Sequence, residues 1–154
     1  DGLKPTMNII KYTKKIANMK ILIMGLPGSG KTFLAQRLHT LLDAAWYNAD
    51  KVRSMANDWD FSEKGRVRQA KRMEAFSDFE KRNSRFVVCD FVCPTKQTRQ
   101  AFNPDIVIWM DTIKKGRYED TNEIFEIPDK VDFHITEWND SNHLEIAKKI
   151  LNNV

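Results

Sequence analysis

The stretch Lys20-Ile21-Leu22-Ile23-Met24-Gly25-Leu26-Pro27-Gly28-Ser29-Gly30-Lys31-Thr32 (KILIMGLPGSGKT) runs from an apolar segment into a glycine-rich turn. Beyond it, Leu34, Leu38, Leu41 and Leu42 fall at the i, i+4, i+7, i+8 spacing of one helix face. A short apolar run ending in glycine reads as a strand buried on both faces, here Lys20 to Gly25. The helix predicted after it covers Lys31 to Leu42. Strand, glycine turn and helix in that order are the context in which G-x-x-x-x-G-K-[ST], matched in full from Gly25 to Thr32, carries meaning.

Working outward, the same alternation continues. Strands are predicted at Ala45 to Asn48, Arg85 to Asp90, Ile106 to Asp111 and Phe133 to Thr136. Between them, Ser62 can cap a helix running toward Lys81, with Val67, Ala70, Met73, Phe76 and Phe79 as its inner stripe. Thr95 to Phe102 and Asn142 to Asn153 read as further helices. Alternating strands and helices with unbroken apolar strands predict an α/β domain, a parallel five-stranded sheet covered on both faces in a three-layer sandwich. That domain is assigned to residues 20–154. Residues 1–19 read as a loosely attached extension with a short helix around Ile9 to Ala17, and they lack the apolar core and cleavage site of a signal peptide.

The chain has 154 residues, 42% of them hydrophobic and 30% charged, which excludes a disordered chain and fits one domain. No apolar run approaches the ~18 residues of a membrane span. The balance of 25 Lys+Arg against 21 Asp+Glu gives a net charge of +4. That suits an anionic small molecule and does not by itself point to nucleic acid. Cys89 and Cys93 offer no disulfide framework, so a reducing, cytoplasmic setting is expected, and their spacing without nearby histidines does not make a zinc site. His39, His134 and His143 are isolated and receive no chemistry. Trp46, Trp59, Trp109 and Trp138 are expected in or around the core, with a stacking role open for Trp59.

The glycine turn implies phosphate binding. The segment Gly25, Leu26, Pro27, Gly28, Ser29 and Gly30 can wrap an anion at the positive end of the following helix, with backbone N–H groups at every position except Pro27. Lys31 would reach the β- and γ-phosphates, the Thr32 hydroxyl would hold Mg²⁺, and Phe33 closes the ATP-binding segment. The absence of N-K-x-D argues against a regulatory GTPase, leaving a small kinase. Asp90, ending the run Phe86-Val87-Val88-Cys89-Asp90, has the form of a Walker B strand and is the second candidate ligand for Mg²⁺; its other reading is a cap on the following loop.

Three more stretches bear on a phosphoryl acceptor: Tyr47-Asn48-Ala49-Asp50-Lys51-Val52-Arg53, Asp60-Phe61-Ser62-Glu63-Lys64-Gly65-Arg66-Val67-Arg68-Gln69, and Asp90-Phe91-Val92-Cys93-Pro94-Thr95. With the glycine turn, they resemble in order the motifs of adenylylsulfate (APS) kinases, G-L-S-G-[AS]-G-K-[ST], D-G-D-N-x-R, G-F-S-x-x-D-R-x-E-N and a strand ending in I-S-P-Y. The resemblance implies a P-loop kinase fold and transfer from ATP to the 3′-hydroxyl of adenosine 5′-phosphosulfate. It also implies a catalytic pair of Lys31 and Asp50, with Asp50 orienting the hydroxyl and taking its proton. Arg53 would grip the acceptor anion, Phe61 would stack on its base, and Arg66, Gln69, Val92 and Lys115 would complete that side. A homodimer is implied as well. Two other readings stay open: Asp50 as a cap on the helix beginning near Lys51, and Phe61 as a core aromatic. Arg68 and Arg72 read as solvated.

After Asp111 the family pattern breaks. Its basic lid, R-D-x-K-G-L-Y-K-K-A-R followed by F-T-G and P-Y-E-x-P, is matched here only by Lys115, Gly116 and Tyr118, then Glu126 and Pro128. The opening Arg and the F-T-G segment are missing, and the loop is shorter. Since lid contacts help set acceptor choice, three readings remain: an APS kinase with a short lid; a related kinase acting on another nucleotide-linked anion, a small hydroxyl compound or a polynucleotide end; and a nucleotide-binding module without turnover.

Overall fold

The computed structural model describes residues 18–152. Its strands are β1 (Lys20–Met24), β2 (Ala45–Asn48), β3 (Val87–Asp90), β4 (Ile106–Met110) and β5 (Phe133–Ile135). Its helices are α1 (Lys31–Leu41), α2 (Ala49–Ala56), α3 (Glu63–Arg82), α4 (Lys96–Phe102), α5 (Glu119–Ile124) and α6 (Asn142–Asn152). The five strands form one sheet in the order β2-β3-β1-β4-β5, with every pairing parallel.

Successive residues of β1 feed opposite layers, as strand geometry requires. Ile21 and Ile23 join Leu34 and Leu38 of α1 and Ile146 and Ile150 of α6 on one face. Leu22 and Met24 join Val52 of α2, Met73 of α3 and Phe102 of α4 on the other. These four apolar side chains of β1 are fully buried, and each contributes about 1.5–3 kcal/mol. The result is the predicted three-layer α/β sandwich. Among the described residues no helix is long and apolar enough to cross a membrane.

Three expectations need correction. The inner face of α3 carries Gln69, Ala70, Met73, Ser77 and Glu80, while Phe76 and Phe79 are exposed and Val67 is only half-buried. Three polar residues can face inward because they are satisfied: Glu80 accepts from the Tyr47 hydroxyl at 2.7 Å and from Arg85 at 3.2 Å, Ser77 donates to the Glu74 carbonyl, and Gln69 donates to the Ala49 carbonyl. Phe76 instead lies flat against Tyr47, ring centroids 5.2 Å apart. Trp59 and Trp138 are exposed at the surface of the site described next rather than in the core. Helix α5 falls where only loop was expected. The extension at residues 1–19, with its helix around 9–17, lies outside the described residues apart from Asn18 and Met19; the Met19 carbonyl accepts from Val87 N–H at 3.0 Å, tying it to the sheet.

Candidate active site

The strands end at one edge of the sheet, and the loops and helix N-termini that follow them surround a cleft of about 830 Å³. The order β3-β1-β4 places the glycine loop at its floor, where Pro27, Gly28 and Gly30 line the cleft while Gly25, Leu26 and Ser29 are buried and do not line it. Gly25 packs directly on the Met110 backbone, where a Cβ would sit 2.5 Å from the carbonyl oxygen. Gly30 has φ +98° and lies beneath the Trp138 indole, so a side chain there would be both strained and in collision with the ring. Phe33, one turn into α1, meets Trp138 edge-on at 4.5 Å.

Lys31 sits at the α1 N-terminus, and its ammonium donates to the Leu26 carbonyl at 3.0 Å. Burial lowers its pKa to about 8; Asp90 and Asp50 oppose that shift and Arg117 adds to it. The charged form therefore prevails below pH 8. A polyphosphate arriving at pH 8–9 should draw a proton onto Lys31. Calorimetry of ADP binding in two buffers of different ionisation enthalpy should show proton uptake there and little at pH 6.5, and kcat/KM for the donor should bend downward near pH 8. Equal heats in both buffers at pH 8.5 would contradict this.

Asp90, at the end of β3, is 2% exposed. Its Oδ2 accepts from the Thr32 hydroxyl at 2.9 Å and from Asn48 Nδ2 at 3.0 Å, and its Oδ1 accepts from the Trp46 indole at 2.7 Å. Burial pushes its pKa up while these three donors pull it back. Among the described residues no cluster of three His, Cys, Asp or Glu could cage a metal. One carboxylate beside one hydroxyl, both hard oxygen donors, nevertheless fits Mg²⁺, which keeps waters and phosphate oxygens in its sphere rather than an all-protein cage.

On the opposite wall, α2 begins with Asn48 as its cap: the Asn48 side chain accepts from Lys51 N–H at 3.0 Å. The capping reading of Asp50 is thereby corrected. Asp50 is exposed, lines the cleft in the first turn of α2, and lies close enough to Lys31 to raise that residue's pKa. Arg53 is 5% exposed and also borders the cleft, but its Nη1 donates to the carbonyls of Asp58 at 2.8 Å and Asp60 at 3.3 Å. Its guanidinium lies over the Phe61 ring at 4.4 Å. Phe61 is half exposed and is not a core aromatic; Arg66 approaches its ring to 5.7 Å and donates to its carbonyl at 2.8 Å. Trp59, likewise half exposed, stands 6.5 Å from Phe61. Val92 lines the cleft, as does Gln69, whose amide is committed to the Ala49 carbonyl at 3.1 Å.

Lys115 is exposed and stays outside the cleft; Arg117 and Tyr118 line it instead. That loop has no regular period, so no sequence signal says which of Lys114, Lys115 and Arg117 turns inward. Arg68 and Arg72 are not simply solvated. Both are paired with Asp58, and the Arg72 side chain is only 22% exposed. His134 bonds Asp111 at 2.9 Å and stacks on Trp109, away from the cleft-lining residues.

The cleft thus joins a glycine-rich loop at a helix N-terminus and a carboxylate–hydroxyl pair to a wall bearing a carboxylate, arginines and exposed aromatic rings. A family model described as adenylylsulphate kinase matches residues 17–144. A probable adenylyl-sulfate kinase of Aeropyrum pernix is 37% identical over 86 residues, 50% of this chain and 45% of that protein. The match thus spans less than half the length of that curated relative. Among solved structures, the APS kinase CysC of Mycobacterium tuberculosis, in complex with AMPPNP and APS, is similar with a TM-score of 0.71 at 17% identity, covering 88% of this chain and 96% of that one. A shikimate kinase from Acinetobacter baumannii in complex with shikimate reaches 0.55 at 18% identity, over 92% and 96%. At such identities the two structures speak for the fold alone.

Proposed function

The chain belongs to the adenylylsulphate kinase family, and from that premise we propose that it is an ATP-dependent kinase which phosphorylates the 3′-hydroxyl of adenosine 5′-phosphosulfate. The observation that carries this reading is the one cleft that Pro27, Gly28, Gly30, Lys31 and Thr32 of the cradle share with Asp50 and the Arg53–Phe61–Arg66 wall. Thr32 and Asp90 would hold Mg²⁺, which would supply charge neutralisation for the β- and γ-phosphates. Lys31 holds the γ-phosphoryl group from the cradle side. Asp50 orients the acceptor hydroxyl and takes its proton as the new O–P bond forms and the bond to the β-phosphate oxygen breaks, releasing ADP.

The acceptor wall accounts for a base and a 5′-anion together. Phe61 and Trp59 offer flat faces, and Arg66 and Arg117 are cations at the cleft surface; Arg53 is largely spent on holding the loop. The same reading places the enzyme in the cytoplasm, within sulfate assimilation, and as a homodimer.

ADP release is the test, measured with Mg·ATP and either adenosine 5′-phosphosulfate, another 5′-nucleotide, a hydroxylated small acid or a 5′-hydroxyl oligonucleotide. Release is expected with adenosine 5′-phosphosulfate and not with the others. Release with a different acceptor would transfer the assignment to that compound, and none with any would leave a binding module. Base stacking is worth about 1–3 kcal/mol, so Phe61→Ala should raise the acceptor KM roughly five- to a hundredfold and leave the donor KM in place. An unchanged acceptor KM would remove Phe61 from the acceptor site.

A further inference from the structure

A closed ring of hydrogen bonds joins α2, loop 57–62 and α3, and its hub is the carboxylate of Asp58, which is not among the cleft-lining residues. Asp58 Oδ2 accepts from Arg68 Nε at 2.8 Å and from Arg72 Nη2 at 2.8 Å, and its Oδ1 accepts from Arg68 Nη2 at 3.1 Å. Arg72 turns its Nη1 to Gln69 Oε1 at 2.6 Å, and Gln69 Nε2 donates to the carbonyl of Ala49, the first residue of α2. The ring returns along the backbone: Asp58 N–H donates to the Arg53 carbonyl at 3.0 Å, while the Arg53 side chain donates to the Asp58 carbonyl. Gly65 lets the Asp60 backbone come closer to α3 than any side chain would allow, and Asp60 itself accepts from Arg68 at 3.1 Å.

Two features separate this from an ordinary surface ion pair, which contributes little to stability. The Asp58 side chain is only 12% exposed, although it bears two arginines. Arg72 also spans two acceptors with two separate nitrogens of its planar fork, Nη1 to Gln69 and Nη2 to Asp58, a spread that the single ammonium of a lysine lacks. Arg68 and Arg72 hold the Asp58 carboxyl well below the usual carboxylate range, so it stays ionised at working pH. The ring brackets the turn that carries Asp50, and Phe61 lies at the end of the loop it fixes.

We propose that Asp58 is a positioning residue for phosphoryl transfer: by ordering Arg72 and through it Gln69, it locks the first turn of α2 and so sets Asp50 against the phosphate cradle. It touches neither substrate. Small misplacements of a reacting group can cost about a hundredfold in rate, which makes such a lock consequential. The turnover arm of its test rests on the kinase reading above; the exchange arm does not.

Asp58→Asn puts an amide against two guanidinium groups, and Arg72→Lys removes the fork; should the first variant fold poorly, the second carries the test. In ligand-free protein, amide hydrogen exchange over residues 50–56 should quicken about tenfold or more in either variant, with exchange over β1 and α1 unchanged. With adenosine 5′-phosphosulfate as acceptor, kcat should fall about ten- to a hundredfold while the donor KM stays within about twofold. Unchanged exchange over α2 would overturn the proposal. So would a uniform rise that includes β1 and α1, because the ring would then serve general stability. If the unmodified protein does not turn over the acceptor, the function reading fails, while the exchange over α2 still decides the role of Asp58.

Discussion

Asp50→Asn should lower kcat by about 10²–10⁴-fold, the span that a positioned proton acceptor contributes, with ATP affinity almost unaltered. The structure sharpens this expectation. Had Asp50 been the cap of α2, Asn would serve nearly as well, because both side chains accept from the helix N–H groups. The cap is Asn48, and Asp50 points its charge into the cleft with no helix-capping duty to preserve. What the substitution removes is a negative charge in the first helical turn, worth about 0.3–1 kcal/mol to the helix, so the fold should survive. Steady-state rates with saturating acceptor, set against a melting curve, decide it. A near-normal kcat in folded Asp50→Asn would take the proton-accepting role from this residue.

Lys31→Ala should cost about 2–4 kcal/mol of transition-state stabilisation, or roughly thirty- to a thousandfold in kcat/KM. Its effect on stability should run the other way. Burial lowers the Lys31 pKa to about 8 from its ordinary 10.5. Below pH 8 the ammonium is charged in both folded and unfolded chains, and the folded state carries the full desolvation penalty. Between about 8 and 10.5 the unfolded chain binds more protons, so wild-type stability should rise with pH across that window. Alanine removes the group, and the variant should melt no lower than wild type at pH 7, without that rise. Turnover above about a tenth of wild type would contradict the role of the cradle. A large loss of melting temperature would mean that Lys31 holds the loop together through Leu26.

The parts of the fold that were legible are those in which one rule governs a contiguous segment. β1 and β3 read as strands because both of their faces meet helices, so the apolar run is unbroken. Thr32 and Asp90 could be paired because a glycine loop and a strand-terminal carboxylate each carry their own signature, and the sheet order sets them side by side. The inner face of α3 does not follow apolarity alone, because Ser77 and Glu80 go inside with their partners and Phe76 finds Tyr47 at the edge. α5 has six residues, too few for a helical period to emerge. On the acceptor side the residue types were readable but their commitments were not: that Arg53 spends donors on two carbonyls, or Gln69 on Ala49, depends on how loop 57–62 returns to α2.

The order β2-β3-β1-β4-β5 has a consequence for how the chain is made. The cradle is written at residues 25–32, yet both neighbours of β1 in the sheet are strands that come much later, β3 and then β4. Asp90, to which Thr32 donates, leaves the ribosome 58 residues after it. Until then the emerging chain has a glycine loop with no floor, since Met110 has not arrived, and no cover, since Trp138 comes later still. Parallel pairing between distant segments is slow and leaves apolar strands waiting. A nucleotide bound by this loop would therefore meet a finished surface, holding the completed domain together rather than escorting its first half into shape.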